Sequence, residues 1–196
     1  KTPPCTKSII NSGIKKVFFP INDPDLRSYS KSEKLLRQRN IKVKKGVCKN
    51  ETSSFYKSYI KSKVSLLPFV SCKLAISKDF FTINKKGRWI TNKFSRGRVH
   101  LMRSHHDCIM TSCDTIIKDN PNLTCRINGL ENRSPSKIIL DRKLKIPLNS
   151  NIIKMASKHH TIIFYNKVDK KKIRKLKNIG VELHKISQDI NNNLDL

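Results

Sequence analysis

Apolar residues along this chain fall into short runs set apart by polar, lysine-rich stretches, and the spacing within each run separates helices from strands. Residues 3–13 predict a helix: Pro3 and Pro4 suit its first turn, and Gly13 suits its end. "IKKVFFPI" (14–21) predicts a strand, and "NDPD" (22–25) a turn. "SKSEKLLRQRN" (30–40) predicts a second helix, with Ser32 as its cap and Leu35 and Leu36 as apolar positions. "IKVKKGV" (41–47) alternates as a strand does, and 51–65 predicts a helix with Phe55, Tyr56 and Ile60 on or near one face. Helices alternating with strands in this way indicate an α/β fold.

The pattern restarts at Pro68. "PFVSCKLAIS" (68–77) is almost continuously apolar, as expected of a strand buried on both faces. "ITNKFSRGRVHLMRS" (90–104) predicts a helix entered through Thr91, with Phe94, Val99, Leu101 and Met102 as apolar members and Gly97 as a weak point. "DCIMTS" (107–112) predicts a strand, followed by a helical turn that Pro121 stops. "SKIILD" (136–141), "HTIIFYNK" (160–167) and "VELHKIS" (181–187) predict three more strands. A basic helix over 169–180, ended by Gly180, joins the last two. No internal repeat is visible, and the change of texture sets a boundary between two units within 50–67.

Composition changes this picture little, charge more. Hydrophobic residues are 37% of the 196, enough for a packed core. Lys and Arg number 42 against 14 Asp and Glu, a formal charge of +28. That surplus raises nucleic acid or an anionic surface as a partner. The lysines are scattered, however, and come with abundant Asn and Ile, a compositional bias; only "DKKKIRKLK" (169–177) is dense. Aromatics are 7% and sit in apolar runs, which is a poor platform for stacking bases. No membrane partner is expected either, because the apolar runs are too short to span a bilayer. Cys5, Cys48, Cys72, Cys108, Cys113 and Cys125 show no disulfide spacing, and all but Cys5 are expected as buried, reduced thiols. His105, His106, His159 and His160 form two adjacent pairs that point apart and are expected at the surface.

Several motifs then stand in a telling order. "TPPC" precedes a helix and strand; "DPD" and "LLRQRNIKVKKGV" follow; then come "PFVSCKLAISKD", "GRWIT", "VHLMRSHHDCIMTSCDTIIKDNPNLTCR" and "IILDRKLKIP". This order resembles the bifunctional riboflavin-biosynthesis deaminase–reductase family over essentially the whole chain. The resemblance implies the C-terminal remnant of a cytidine-deaminase-like domain over 1–60, then a partial dihydrofolate-reductase-like (Rossmann-like) reductase domain over 61–196. In that family a zinc ion held by a His and two Cys serves the deaminase, and Cys5 matches the second Cys. One Cys cannot hold a catalytic zinc, which takes three protein ligands and a water. The expectation for this stretch alone is therefore no zinc and no deaminase activity.

For the reductase part the resemblance implies reduction of the ribosyl group of a phosphorylated aminouracil to a ribityl chain, with NADPH as hydride donor. Ala75, Trp89, Thr115, Asp119 and Arg142 match cofactor contacts; Gly87, Arg103, Leu123 and Arg126 match substrate contacts. An aromatic face such as Trp89 suits a nicotinamide or ribose, and guanidinium forks suit phosphate oxygens. The chain departs from the family pattern in places. Gly87 stands for a polar residue, Phe80 for a glycine, Asn120 for the second Asp of D-D-P, and Arg142 for a small hydroxyl residue, and the later E-G-G segment is missing. The resemblance further implies a cytoplasmic enzyme that takes a phosphorylated aminopyrimidine and pairs as a homodimer through its reductase domain. A single-function pyrimidine reductase and a basic nucleic-acid-binding module are the alternatives.

Overall fold

The computed structural model describes residues 5–25, 27–82, 89–167 and 169–196. By its internal contacts the chain divides into two units, Lys1–Leu74 and Ala75–Leu196, where the sequence reading set the division at 60/61. The α/β expectation holds in both, and both sheets are parallel.

The first unit pairs β1 (Lys16–Phe19) with β2 (Lys42–Lys45), Val17 facing Val43. Helices α1 (Cys5–Asn11) and α2 (Lys31–Gln38) flank them. Leu36, Ile41 and Val43 form a small buried cluster against Ile9, Ile10, Val17 and Phe19. Two corrections to the sequence reading arise here. Ser30, not Ser32, caps α2, and it does so with left-handed backbone and no side-chain bond; the Ser32 hydroxyl instead accepts from Thr6. The helix expected over 51–65 is two helices, α3 (Lys49–Phe55) and α4 (Lys57–Val64), separated at Tyr56. The "NDPD" turn ties down α4: Tyr59 donates to Asp23, and Lys63 and Arg27 pair with Asp25. The Arg27 guanidinium holds the Asp25 carboxyl well below the usual carboxylate range.

The second unit begins its regular structure at α5 (Lys93–Ser104) and builds a four-stranded sheet in the order β3 (Cys108–Ser112), β4 (Ser136–Leu140), β5 (Thr161–Tyr165) and β6 (Glu182–Lys185). The connections carry α6 (Cys113–Asp119), the short α7 (Asn151–Lys154) and α8 (Lys170–Asn178). Strands of neighbouring sequence lie side by side because each crossover returns the chain to the same end of the sheet. Ile139 and Ile163 at the sheet centre pack with Ile116, Ile146, Ile152, Ile153 and Leu176 in the core. Among the described residues no helix is long and apolar enough to cross a membrane.

Three further expectations need correction. "PFVSCKLAIS" takes no regular secondary structure and joins no sheet among the described residues, and Val70 and Leu74 are 77% and 67% exposed. An apolar run becomes a buried strand only where neighbours offer ladder partners, and none of the described strands does so. Asn92, not Thr91, caps α5, its side chain accepting from the Ser95 N–H at 2.8 Å. Of the thiols expected to be buried, Cys113 and Cys125 are, whereas Cys48, Cys72 and Cys108 are exposed.

Two positions carry an identifiable energetic cost. Phe80, where the resemblance put a glycine, has φ +64° at the tip of a turn closed by the Ser77 N–H on the Phe81 carbonyl. A side chain there costs about 1 kcal/mol relative to glycine. Phe80 is 81% exposed, so little packing offsets that cost. Phe80→Gly is expected to raise stability by up to about 1 kcal/mol in urea unfolding, the strain relief outweighing the entropy of a freer unfolded chain. Lys137 is the other. It faces the core from β4 with 0% exposure, and its ammonium has no partner among the described residues. Burial lowers its pKa from 10.5 to about 8. Between those two values the unfolded chain holds more of the proton, so stability rises as pH climbs from 8 toward 10.5. Lys137→Met should remove that slope and gain about 1–3 kcal/mol at neutral pH, read by urea unfolding at neutral and alkaline pH.

Candidate functional site

Helix α5 places His100 and Arg103 one turn apart on one face, as the three-residue spacing in "HLMR" dictates. Opposite that face runs the loop between α6 and β4. Its residues Leu123, Thr124 and Cys125 are buried, and Leu123 takes left-handed backbone at φ +53° with its side chain in the core. This turns the Thr124 carbonyl toward α5. Arg103 Nη1 donates to that carbonyl at 3.0 Å, and His100 Nδ1 lies 3.1 Å from it. Arg126 follows two residues later. Its main-chain N–H lies 3.2 Å from His100 Nδ1, and its Nη2 lies 3.3 Å from His100 Nε2.

The two arginines expected to touch substrate are thus brought together, with His100 between them. Among the described residues neither arginine is in an ion pair, and in the half-buried Arg103 the Nε is itself buried and has no hydrogen-bond partner. Burial and the neighbouring Arg126 lower the Arg103 pKa. Burial, then Arg103 and Arg126, lower that of His100, so the imidazole is held neutral. Unpaired guanidinium donors around a neutral ring, with no carboxylate to satisfy them, make a site for an anion.

A second feature lies at the C-terminal ends of β3 and β4, where parallel sheets of this class offer ligands a crevice. A hollow of about 210 Å³ is lined by Ser112, Cys113, Asp114, Leu140, Asp141, Arg142, Lys143 and Lys145. Beside it, a hollow of about 400 Å³ shares Arg142 and Lys143 and adds Asn166, Lys167, Gln188 and Asn192. Arg142 donates to the Asn192 carbonyl across it. Buried Asp141 fixes the wall by accepting the Lys145 and Ile146 N–H groups at 2.8 and 2.7 Å. Burial, then the same carboxylate, push the Cys113 thiol up to about 12, so it stays protonated.

The remaining expected contacts are more dispersed. Thr115 lies in the first turn of α6, its N–H and hydroxyl near the Ser112 hydroxyl, and Asp119 is exposed at the other end of that helix. Trp89 stacks under the Arg96 guanidinium, 4.8 Å from ring centre to guanidinium carbon, and Ala75 is half-buried. Of the expected cofactor contacts, Arg142 alone lines either hollow. Gly87 lies outside the described residues. Cys5 is exposed at the start of α1, and among the described residues no three His, Cys, Asp or Glu side chains are grouped to hold a metal. These residues do not fit a zinc ion, and no step through one is assigned. Sequence reasoning missed His100 and Asp141. The His100–Arg103 spacing within "VHLMR" was the available signal for the first; nothing local marked the second.

The model of the RibD C-terminal domain matches residues 68–194. The chain belongs to that family. Riboflavin biosynthesis protein RibD of Aquifex aeolicus (strain VF5) is 33% identical over 185 residues, which are 93% of this chain and 51% of that protein. The RibD of Bacillus amyloliquefaciens is 31% identical over 96% of this chain and 51% of its own length. The chain therefore spans about half the length of the curated relatives it matches. Among solved structures, a diaminohydroxyphosphoribosylaminopyrimidine deaminase/5-amino-6-(5-phosphoribosylamino)uracil reductase of Thermotoga maritima superposes with a TM-score of 0.74 at 30% identity, over 95% of this chain and 58% of that one. His100, Arg103, Arg126 and Asp141 all lie inside the family match.

Asp141 carries the wall of the family domain's basic hollow, and its loss should be felt globally. Asp141→Ala removes the acceptor of two charge-assisted main-chain bonds and is expected to cost about 3 kcal/mol in urea unfolding. Asp141→Asn keeps one acceptor oxygen and should cost about half as much.

Proposed function

We propose that this chain carries the reductase half of a riboflavin-biosynthesis enzyme and reduces 5-amino-6-(5-phosphoribosylamino)uracil to its ribitylamino form with NADPH. The single observation behind this reading is the pair Arg103 and Arg126 gathered around His100, neither with a carboxylate partner among the described residues, Arg103 donating to the Thr124 carbonyl and Arg126 meeting His100 Nε2. That arrangement suits the phosphate of a phosphoribosyl substrate, and the oxidoreductase class follows from the family. The Thermotoga protein's name supplies the substrate.

The basic hollow suits the cofactor. Arg142, Lys143, Lys145 and Lys167 give four cations at the end of the sheet where a dinucleotide's phosphates are accommodated. NADPH, when bound, supplies the hydride. The chain's own task is to hold two anionic ligands in fixed relation and to keep water from the transferred hydrogen. In this reading Trp89, Ala75, Thr115, Asp119 and Arg142 meet the cofactor; Gly87, Arg103, Leu123 and Arg126 meet the substrate. Reduction of a ribosyl carbon needs no protein nucleophile, and the protonated Cys113 thiol is unsuited to be one. A zinc-dependent deaminase that includes Cys5, a homodimer formed by the reductase part and a cytoplasmic location complete the proposal for the whole enzyme.

Arg103→Ala and Arg126→Ala should each weaken binding of a phosphorylated ligand by about 1.5–3 kcal/mol, the range for hydrogen bonds to charged groups. Calorimetric titration with ribose 5-phosphate reads this directly. Unchanged affinity in both variants would remove the substrate assignment.

A further inference from the structure

The contacts of His100 are not all compatible, and the conflict determines which nitrogen carries the proton. A neutral imidazole has one donor and one acceptor nitrogen, a carbonyl only accepts, and a guanidinium only donates. Nδ1 faces the Thr124 carbonyl at 3.1 Å, and Nε2 faces Arg126 Nη2 at 3.3 Å. With the proton on Nδ1, both contacts become hydrogen bonds, while the Arg126 main-chain N–H, directed at Nδ1, loses its acceptor. With the proton on Nε2, the Arg126 main-chain N–H would gain an acceptor at 3.2 Å. That single gain would set a lone pair against the carbonyl and an N–H against the guanidinium. A doubly protonated ring would also turn Nε2–H on Arg126. The charged groups facing the ring are Arg103 on its own helix and Arg126 on the opposing loop.

We propose that His100 is a positioning residue of the anion site, its Nδ1–H tying the Thr124 carbonyl to α5 and its Nε2 holding the Arg126 guanidinium beside that of Arg103. This rests on the reading of the two arginines as a phosphate site. Arg126 is exposed and lies within the loop between α6 and β4. Unrestrained, its side chain would lose rotamer freedom each time an anion bound; docked on Nε2 it has given up that freedom beforehand. The ligand class that profits is a phosphomonoester dianion, whose oxygens can meet one fork from the helix and one from the loop.

Two measurements on the chain test this. In a nitrogen-15 spectrum of the imidazoles, with the His100 signals identified by their loss in His100→Gln, the proton is expected on Nδ1. In titrations with ribose 5-phosphate, His100→Ala should bind about 10-fold more weakly, and His100→Gln, whose amide oxygen can still accept from Arg126, should recover to within about 3-fold of the parent. A proton found on Nε2 overturns the proposal. So does His100→Ala binding like the parent while Arg126→Ala loses affinity, a result that leaves the phosphate site standing. If Arg126→Ala and Arg103→Ala also bind like the parent, or the parent does not bind, the phosphate reading falls and the role of His100 with it.

Discussion

The carbonyl of Thr124 is the point on which the anion site depends. It accepts from Arg103 and faces His100, and it can do so only because the loop around it is buried. Leu123 anchors that loop in the core, and the Cys125 N–H donates to the Ser134 hydroxyl at 3.0 Å, which in turn donates to the Glu131 carbonyl at 2.8 Å. The loop is therefore a rigid part of the domain rather than a surface strap. A guanidinium aimed by a rigid carbonyl loses less freedom on meeting its ligand than one that must be ordered at that moment.

The sheet plays the same part for the basic hollow. Parallel register brings the ends of β3 and β4 level, Ser112 beside Leu140, so the residues that follow each strand share one rim. Asp141 then folds "DRKLKI" back on itself through two main-chain donors. Arg142, Lys143 and Lys145 stand at the rim because the backbone beneath them is pinned, and Ile146 is fixed in the core on the far side of the turn. Here a buried carboxylate organises a basic surface. Its two oxygens accept from main-chain donors, leaving the neighbouring cations' side chains free of it as a hydrogen-bond partner among the described residues.

Much of this was legible in the sequence, and the failures have physical causes. Strands β4 and β5 were readable from their β-branched and aromatic runs, and β6 from the alternation of Val181 and Leu183 with polar neighbours. The pairing of Arg103 with Arg126 followed from motif order, not from any spacing rule. Caps were read poorly: Ser30 and Asn92 do the work expected of Ser32 and Thr91, because a cap is chosen by the backbone conformation before the helix and not by the nearest hydroxyl. "PFVSCKLAIS" was misread as a buried strand because periodicity reports apolar character, whereas strand formation needs a partner edge that local sequence does not encode. His100 was passed over since a histidine's role depends on what faces it, and its partners lie 24 and 26 residues away. Lys137 was not foreseen as buried: "IIL" reads as one continuous apolar run, and it is the two-residue period of the strand that sets Lys137 on the buried face with Ile139.

A net charge of +28 draws every anion toward this protein, so charge alone cannot select one. Scattered surface lysines act over long range and are screened within about 10 Å at moderate salt. Selection must come from donors that are fixed in direction and removed from water. Arg103 meets both conditions: its guanidinium is held by a main-chain carbonyl, and its Nε is buried with no acceptor among the described residues. A buried donor left unpaired costs about 1–3 kcal/mol, a cost that a surface lysine never incurs. In the proposed reading the scattered cations set how fast an anion arrives, and the partly buried fork beside His100 sets which anion stays.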